Sequence, residues 1–191
     1  MRTLFALALL AATLGRFRDW ADSPQGYFMT KAERAAWSRL TTEGDAEQFV
    51  KAFLASRGPR FADDVAAAAR EADARLTVAG KAGSKTLRGR IVILLGPPKT
   101  MSIAPWVGDK SVTSARFFTP GRPQAIVNLP PNREPTSEMR KRYSTDYTFT
   151  YPSRTIVVAV NPITGDDRIL DARAAREAGK LLEAAAEASK Q

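Results

Sequence analysis

The spacing of hydrophobic positions changes midway along the chain, from helical periods to the runs and alternations of strands. Thr30-Lys31-Ala32-Glu33 has the spacing of a capping box, in which hydroxyl and carboxylate satisfy two orphan amides at a helix start. It predicts a helix running to about Leu40 that buries Trp37 and Leu40 with Ala36. Thr42, with Asp45 three positions on, opens a second helix. Ala46, Phe49, Val50, Phe53 and Leu54 form one face of it at i, i+3, i+4, i+7 and i+8. Gly58-Pro59 should end it, because glycine accepts a left-handed cap and proline cannot continue the ladder. A third stripe of Phe61, Val65, Ala68, Ala72 and Leu76 predicts a helix that stops near Gly80.

The second half reads as strands. Ile91-Val92-Ile93-Leu94-Leu95 is five apolar residues in a row, three of them β-branched, closed by Gly96-Pro97-Pro98. That run predicts the central strand of a sheet, covered on both faces. Ala115 to Thr119 and Ala125 to Leu129 are shorter strand candidates, separated by Pro120-Gly121-Arg122-Pro123. Tyr147, Phe149 and Tyr151 alternate with threonines, the period of a half-exposed strand. Thr155 to Asn161 should return beside it as a hairpin after Pro152-Ser153-Arg154. Pro162 to Asp166 reads as a turn and Arg168 to Leu170 as a short returning strand. Ala172 to Ser189 reads as a helix capped by Asp171. Its apolar face is nearly all alanine, so the expectation is a marginally docked or projecting helix. Asn128 to Arg142, rich in proline and charge, reads as a long surface loop. The expected fold is α+β: N-terminal helices packed on an antiparallel sheet of about four or five strands, plus a C-terminal helix. Residues 16–170 form a single domain in this reading and 171–191 the C-terminal helix.

The N-terminus adds a compartment. Met1-Arg2-Thr3 precedes an uncharged stretch from Leu4 to Leu14, the pattern of a secretory signal peptide over residues 1–15. Eleven such residues are too few to span a bilayer as a helix, and no second segment is long and apolar enough to do so. The expected location is periplasmic or secreted.

Composition narrows the chemistry. The 191 residues contain no cysteine and no histidine. A disulfide framework, thiolate or imidazole metal ligation, a cysteine nucleophile and any imidazole-based triad are thereby excluded. No metal site, cofactor or catalytic residue is assigned. Asp63-Asp64 and Asp166-Asp167 are adjacent carboxylate pairs, but neighbours in sequence point in different directions, so neither is a preset acid/base dyad. The first pair fits the opening turn of the third helix, the second a polar turn. Asp146 fits a surface ion pair, and Ser114 and Ser137 have no visible base.

The formal charge of +9 is unevenly placed: residues 81–154 carry 13 Lys/Arg against 4 Asp/Glu and account for the whole excess. Such a field attracts anionic surfaces, namely an acidic envelope protein, lipid headgroups or acidic glycans. Nucleic acid is the weakest of these partners, because the aromatics do not interleave with the charges as base stacking requires. Gly80 to Gly89 resembles an anion-cradling loop in composition, but its expected order, helix to loop to strand, is the reverse of a phosphate loop. Lys85, Arg88 and Arg90 are the candidate anion- or partner-binding residues. Arg88 and Arg90 would lie on one side of the expected strand as a two-pronged basic edge.

Gly83-Ser84-Lys85-Thr86-Leu87, followed by Arg88-Gly89-Arg90, the apolar run and Gly96-Pro97-Pro98, resembles the GWxTD domain family. Phe28-Met29-Thr30 with Glu33-Arg34, and Leu40-Thr41-Thr42 before Gln48 to Phe53, are similar to that family's first two helices. Gly83 and Thr86 match the signature, whereas Ser84 stands at its tryptophan and Leu87 at its aspartate. The resemblance implies an exported bacterial domain without a settled activity. It also implies that the motif chiefly shapes a turn, since Ser84 cannot stack and Leu87 cannot act as an acid or a ligand. The function expected is a non-enzymatic binding or structural module of the cell envelope. The alternatives are a carboxylate-dependent enzyme or a peripheral binder of anionic membranes. The export reading predicts that mass spectrometry of the protein from its native host finds about the first fifteen residues removed. An intact chain beginning at Met1 in the cytoplasm would refute it.

Overall fold

A computed structural model describes residues 14–106 and 137–190. Three 3-10 turns, Gly15–Phe17, Trp20–Asp22 and Gly26–Phe28, lead into α1 (Lys31–Trp37), α2 (Glu43–Ala55) and α3 (Phe61–Leu76). The caps act as their sequences predict. The Glu33 amide donates to Thr30 Oγ1 at 3.2 Å, and the Thr30 amide donates to Glu33 Oε2 at 2.8 Å. Thr42 caps α2 through the Asp45 amide, and Gly58 follows α2 at φ +87°. α1 ends at Trp37, short of Leu40, and Ala36 is exposed rather than buried.

The helical layer has its own small core. Met29, Trp37, Ala46, Val50 and Phe53 are buried together. Trp20 lies 5.1 Å from Trp37 and 5.0 Å from Phe53 between ring centroids. Arg57 ties this layer to the cap of α1 and, through Nε to Ser189 Oγ at 3.4 Å, to the last described turn. Its side chain is fully buried, donates to Glu33 Oε2 at 2.8 Å and to Phe28 O at 2.7 Å, and stacks 3.5 Å over the Phe53 ring.

The sheet is an antiparallel meander in the order β1 (Thr100–Pro105), β2 (Thr145–Tyr151), β3 (Arg154–Val160) and β4 (Asp167–Arg168). α5 (Ser137–Arg142) precedes β2, and α6 (Ala172–Ala188) follows β4. Phe149, Ile156 and Val158 point from the sheet into the main core, where Val65, Ala72, Leu76 and Leu182 meet them.

The run Ile91 to Leu95 is not the central strand. It is the greater part of a helix, α4 (Leu87–Leu95), with Ile91, Ile93 and Leu94 buried. A continuous apolar run serves a buried helix as well as a buried strand, and here the ends decide. Thr86 accepts the Gly89 amide at 3.2 Å, and Gly96 leaves the helix at φ +78°. The same change corrects the basic edge: residues two apart on a helix diverge, so Arg88 and Arg90 do not form two prongs.

Other expectations are revised as well. α6 is docked, with Ala178, Leu182 and Ala186 buried along one stripe. An alanine face allows close approach, which the reading of that face as weak overlooked. The end of the proline-rich stretch is helical in α5 rather than loop. β1 was not anticipated, although Thr100 to Ile103 alternates polar and apolar residues. The strand candidates Ala115 to Thr119 and Ala125 to Leu129, and all but the last residues of the signal segment, lie outside the described residues.

Burial pushes the Glu33 carboxyl up, but the bonds from Arg57 and Thr30 outweigh it and hold it at about 2, below its ordinary 4.5. A carboxylate depressed in the folded state stabilises fully above its unfolded value, and that stability is lost as pH falls from 4.5 towards 2. Glu33→Gln should therefore cost roughly 2–3 kcal/mol at pH 7 and flatten the acid limb of the stability curve. Urea unfolding at a series of pH values measures this, and parallel curves for the two proteins would refute it.

Candidate functional site

The glycine-rich basic segment folds into a joint between helices. Gly83–Lys85 forms a 3-10 turn leading directly into α4. The Ser84 amide donates to Asp73 Oδ1 at 2.7 Å, the Gly83 amide to Thr77 Oγ1 at 3.2 Å, and the Tyr27 hydroxyl to Ser84 O at 2.9 Å. A Cβ at Gly83 would collide with Ala72 O, and one at Gly89 with Gly83 O. Both glycines are set by close backbone approach. The order is loop to helix after all, the arrangement that exposes amides to an anion.

That anion is supplied by the chain itself. Asp167 accepts from the Leu87 amide at 3.1 Å and from the Arg88 amide at 2.8 Å. Its Oδ2 also lies 3.6 Å from Arg88 Nε. Arg88 has a side chain with no exposure, donates through Nη2 to Leu76 O at 3.2 Å and lies 4.9 Å from the centre of the Tyr147 ring. Burial pulls its pKa down, and Asp167 opposes that. Asp166 pairs with Lys81 at 2.9 Å. Asp166 thus sits beside the polar turn, as expected, whereas Asp167 opens β4 and is buried at the joint.

The three candidate binding residues are consequently dispersed. Lys85 is exposed on the turn. Arg88 is in the core. Arg90 is partly buried, 5.4 Å from the Tyr27 ring, with its pKa lowered by burial. Asp63 and Asp64 occupy the first turn of α3. Asp146 pairs with Arg140 at 2.7 Å.

Two hollows remain. The larger, of about 500 Å³, lies between Phe28, Phe61, Val65, Ala68 and Ile93 beside Arg57. The Arg57 guanidinium there is already engaged by Glu33 and Phe28 O. The second, of about 350 Å³, runs between β3 and α6. Four consecutive β3 residues, Arg154 to Val157, line it, so its wall is the edge of the strand rather than one face. Opposite stand Ala174, Glu177, Ala178 and Leu181, at i, i+3, i+4 and i+7 on α6. Ile169 and Lys180 also line it.

Among the described residues the strand edge is unspent. The Asn161 amide donates outward to Asp166 O at 2.8 Å, which sets the odd-numbered residues of β3 facing away from β2. β4 opposes Ala159 and Val160 alone. In the same register Leu170 would oppose Val157, but the chain leaves the sheet to enter α6 at its cap, Asp171. Among the described residues, the outward N–H and C=O of Thr155 and Val157 have no backbone partner. Sequence reasoning missed this site. The available signal was a mismatch of lengths, a long returning strand against a helix cap at Asp171 only a few residues beyond the turn.

The buried joint generates a test. Asp167→Ala should cost about 3–5 kcal/mol, as expected when a buried cation loses its counter-charge. Adding Arg88→Met should restore at least ~1 kcal/mol of it. Urea unfolding reads both, and a double variant no more stable than D167A would show that the stranded guanidinium is not what makes the loss severe.

No helix among the described residues is long and apolar enough to cross a membrane. No protein-family profile, curated protein or solved structure matches the chain.

Proposed function

We propose that the chain is an exported, non-enzymatic binding module of the cell envelope that holds another polypeptide in the groove between β3 and α6. The observation that carries this reading is the pair of unspent backbone positions, Thr155 and Val157, beside a wall of Ala174, Ala178 and Leu181. A strand edge of this kind offers hydrogen bonds in the geometry that an extended chain needs. Export is supported by the basic start and apolar run of residues 1–15, and by the resemblance of Gly83 to Pro98 to the GWxTD domain family. A carboxylate-dependent reaction gains no such support: Asp167 caps α4, and Asp166 and Asp146 are held in ion pairs.

A photo-crosslinking amino acid at Leu181, on the helical wall, should form discrete polypeptide adducts in the envelope of the native host. The same group at Arg70, exposed on α3, should not. Adducts of equal yield from both positions, or none from Leu181, would overturn the proposal.

A further inference from the structure

The groove also specifies the chemistry of its occupant, an inference that rests on the binding reading above. We infer that the β3–α6 groove takes an acidic, extended peptide segment by strand addition, with Thr155 and Val157 supplying the backbone pairing and Arg154 and Lys180 selecting for carboxylates. Three observations combine. Odd-numbered β3 residues present outward N–H and C=O groups, and among the described residues the outward edge from Arg154 to Val157 has no strand beside it, over about four residues or ~14 Å. The facing stripe of Ala174, Ala178 and Leu181, with Ile169, is apolar and mostly small, leaving room for one extended backbone between helix and strand.

Charge decides the third point. Both cations lining the groove, Arg154 and Lys180, have no carboxylate within ion-pair distance among the described residues. The one acid there, Glu177, is taken up by Arg173 at 2.8 Å. An occupant bearing carboxylates finds two unspent cations, whereas a basic occupant meets like charge. Side chains of an added strand alternate in direction, so apolar residues facing the α6 stripe and acidic residues between them fit the groove together.

The probe is a fluorescein-labelled nine-residue peptide of alternating valine and glutamate, titrated into the full protein and followed by anisotropy. Saturable binding is expected, together with protection of the Thr155 and Val157 amides from hydrogen exchange. Arg154→Glu with Lys180→Glu should weaken binding at least tenfold and admit the matching valine–lysine peptide. Arg39→Glu with Arg70→Glu, the same charge change at exposed positions elsewhere, should leave binding unchanged. Val157→Pro, which removes one outward N–H at a position where an edge strand tolerates proline, should also cost at least tenfold. Binding without amide protection, or equal loss from both charge-reversed pairs, would overturn the inference. If the acidic peptide fails while Leu181 adducts still form in the envelope, strand addition of an acidic segment is refuted and the binding module stands. If both fail, the binding reading falls too.

Discussion

Arg88 and Asp167 are buried against each other between two helix ends, and the arrangement of the domain follows from that pair. The guanidinium donates to Leu76 O at the C-terminal end of α3, and the carboxylate takes the first amides of α4. Each charge thus sits at the helix end its sign favours, a contribution of up to ~2 kcal/mol apiece in buried geometry. Because the two partners also offset each other, neither enters the core as a bare ion. One residue of β4 thereby positions the helix that fills the middle of the main core.

This connection constrains the sheet. With Asp167 fixed at the start of α4, β4 can pair only at the far end of β3, opposite Ala159 and Val160. The chain then turns at Asp171 and lays α6 alongside the remainder of β3, where Leu182 enters the core. The helix screens the uncovered strand without hydrogen bonding to it. An edge left this way is a hazard for aggregation unless it is shielded or charged. Here it has both forms of protection, a helical wall and the cations Arg154 and Lys180, and these leave a groove rather than a flat margin.

The sequence made legible whatever is governed by local rules. Caps at Thr30, Thr42 and Asp171, the stripe from Phe61 to Leu76 and the hairpin of Tyr147 with Val158 depend on residues within a turn or a strand length of one another. The apolar run at Ile91 could not be assigned that way. Five apolar residues in a row suit a helix or a strand, and the deciding contact, Asp167 on the Leu87 and Arg88 amides, comes from about 80 positions away. Arg88 was misplaced for the same reason, since a cation in a basic stretch looks solvated until its distant carboxylate is known. The groove belongs to neither element alone. It arises from where β4 stops and α6 begins, and neither flanking sequence carries a motif for it.

The energetics of such a groove point to transient rather than permanent capture. Four backbone hydrogen bonds, at about 0.5–1.5 kcal/mol net each, reach only the lower end of the roughly 4–15 kcal/mol lost on association. Burial against Ile169, Ala174, Ala178 and Leu181 has to supply the rest, and two of those four are alanines with little area to bury. What the walls do provide is rigidity: β3 and α6 both send side chains into the main core, so the pairing edge is held in place before anything binds. Preorganisation lowers the ordering cost on the protein's side and leaves the occupant's own entropy as the main opposing term. A partner presenting an already extended segment would therefore be favoured over one that must unfold a helix to reach the groove.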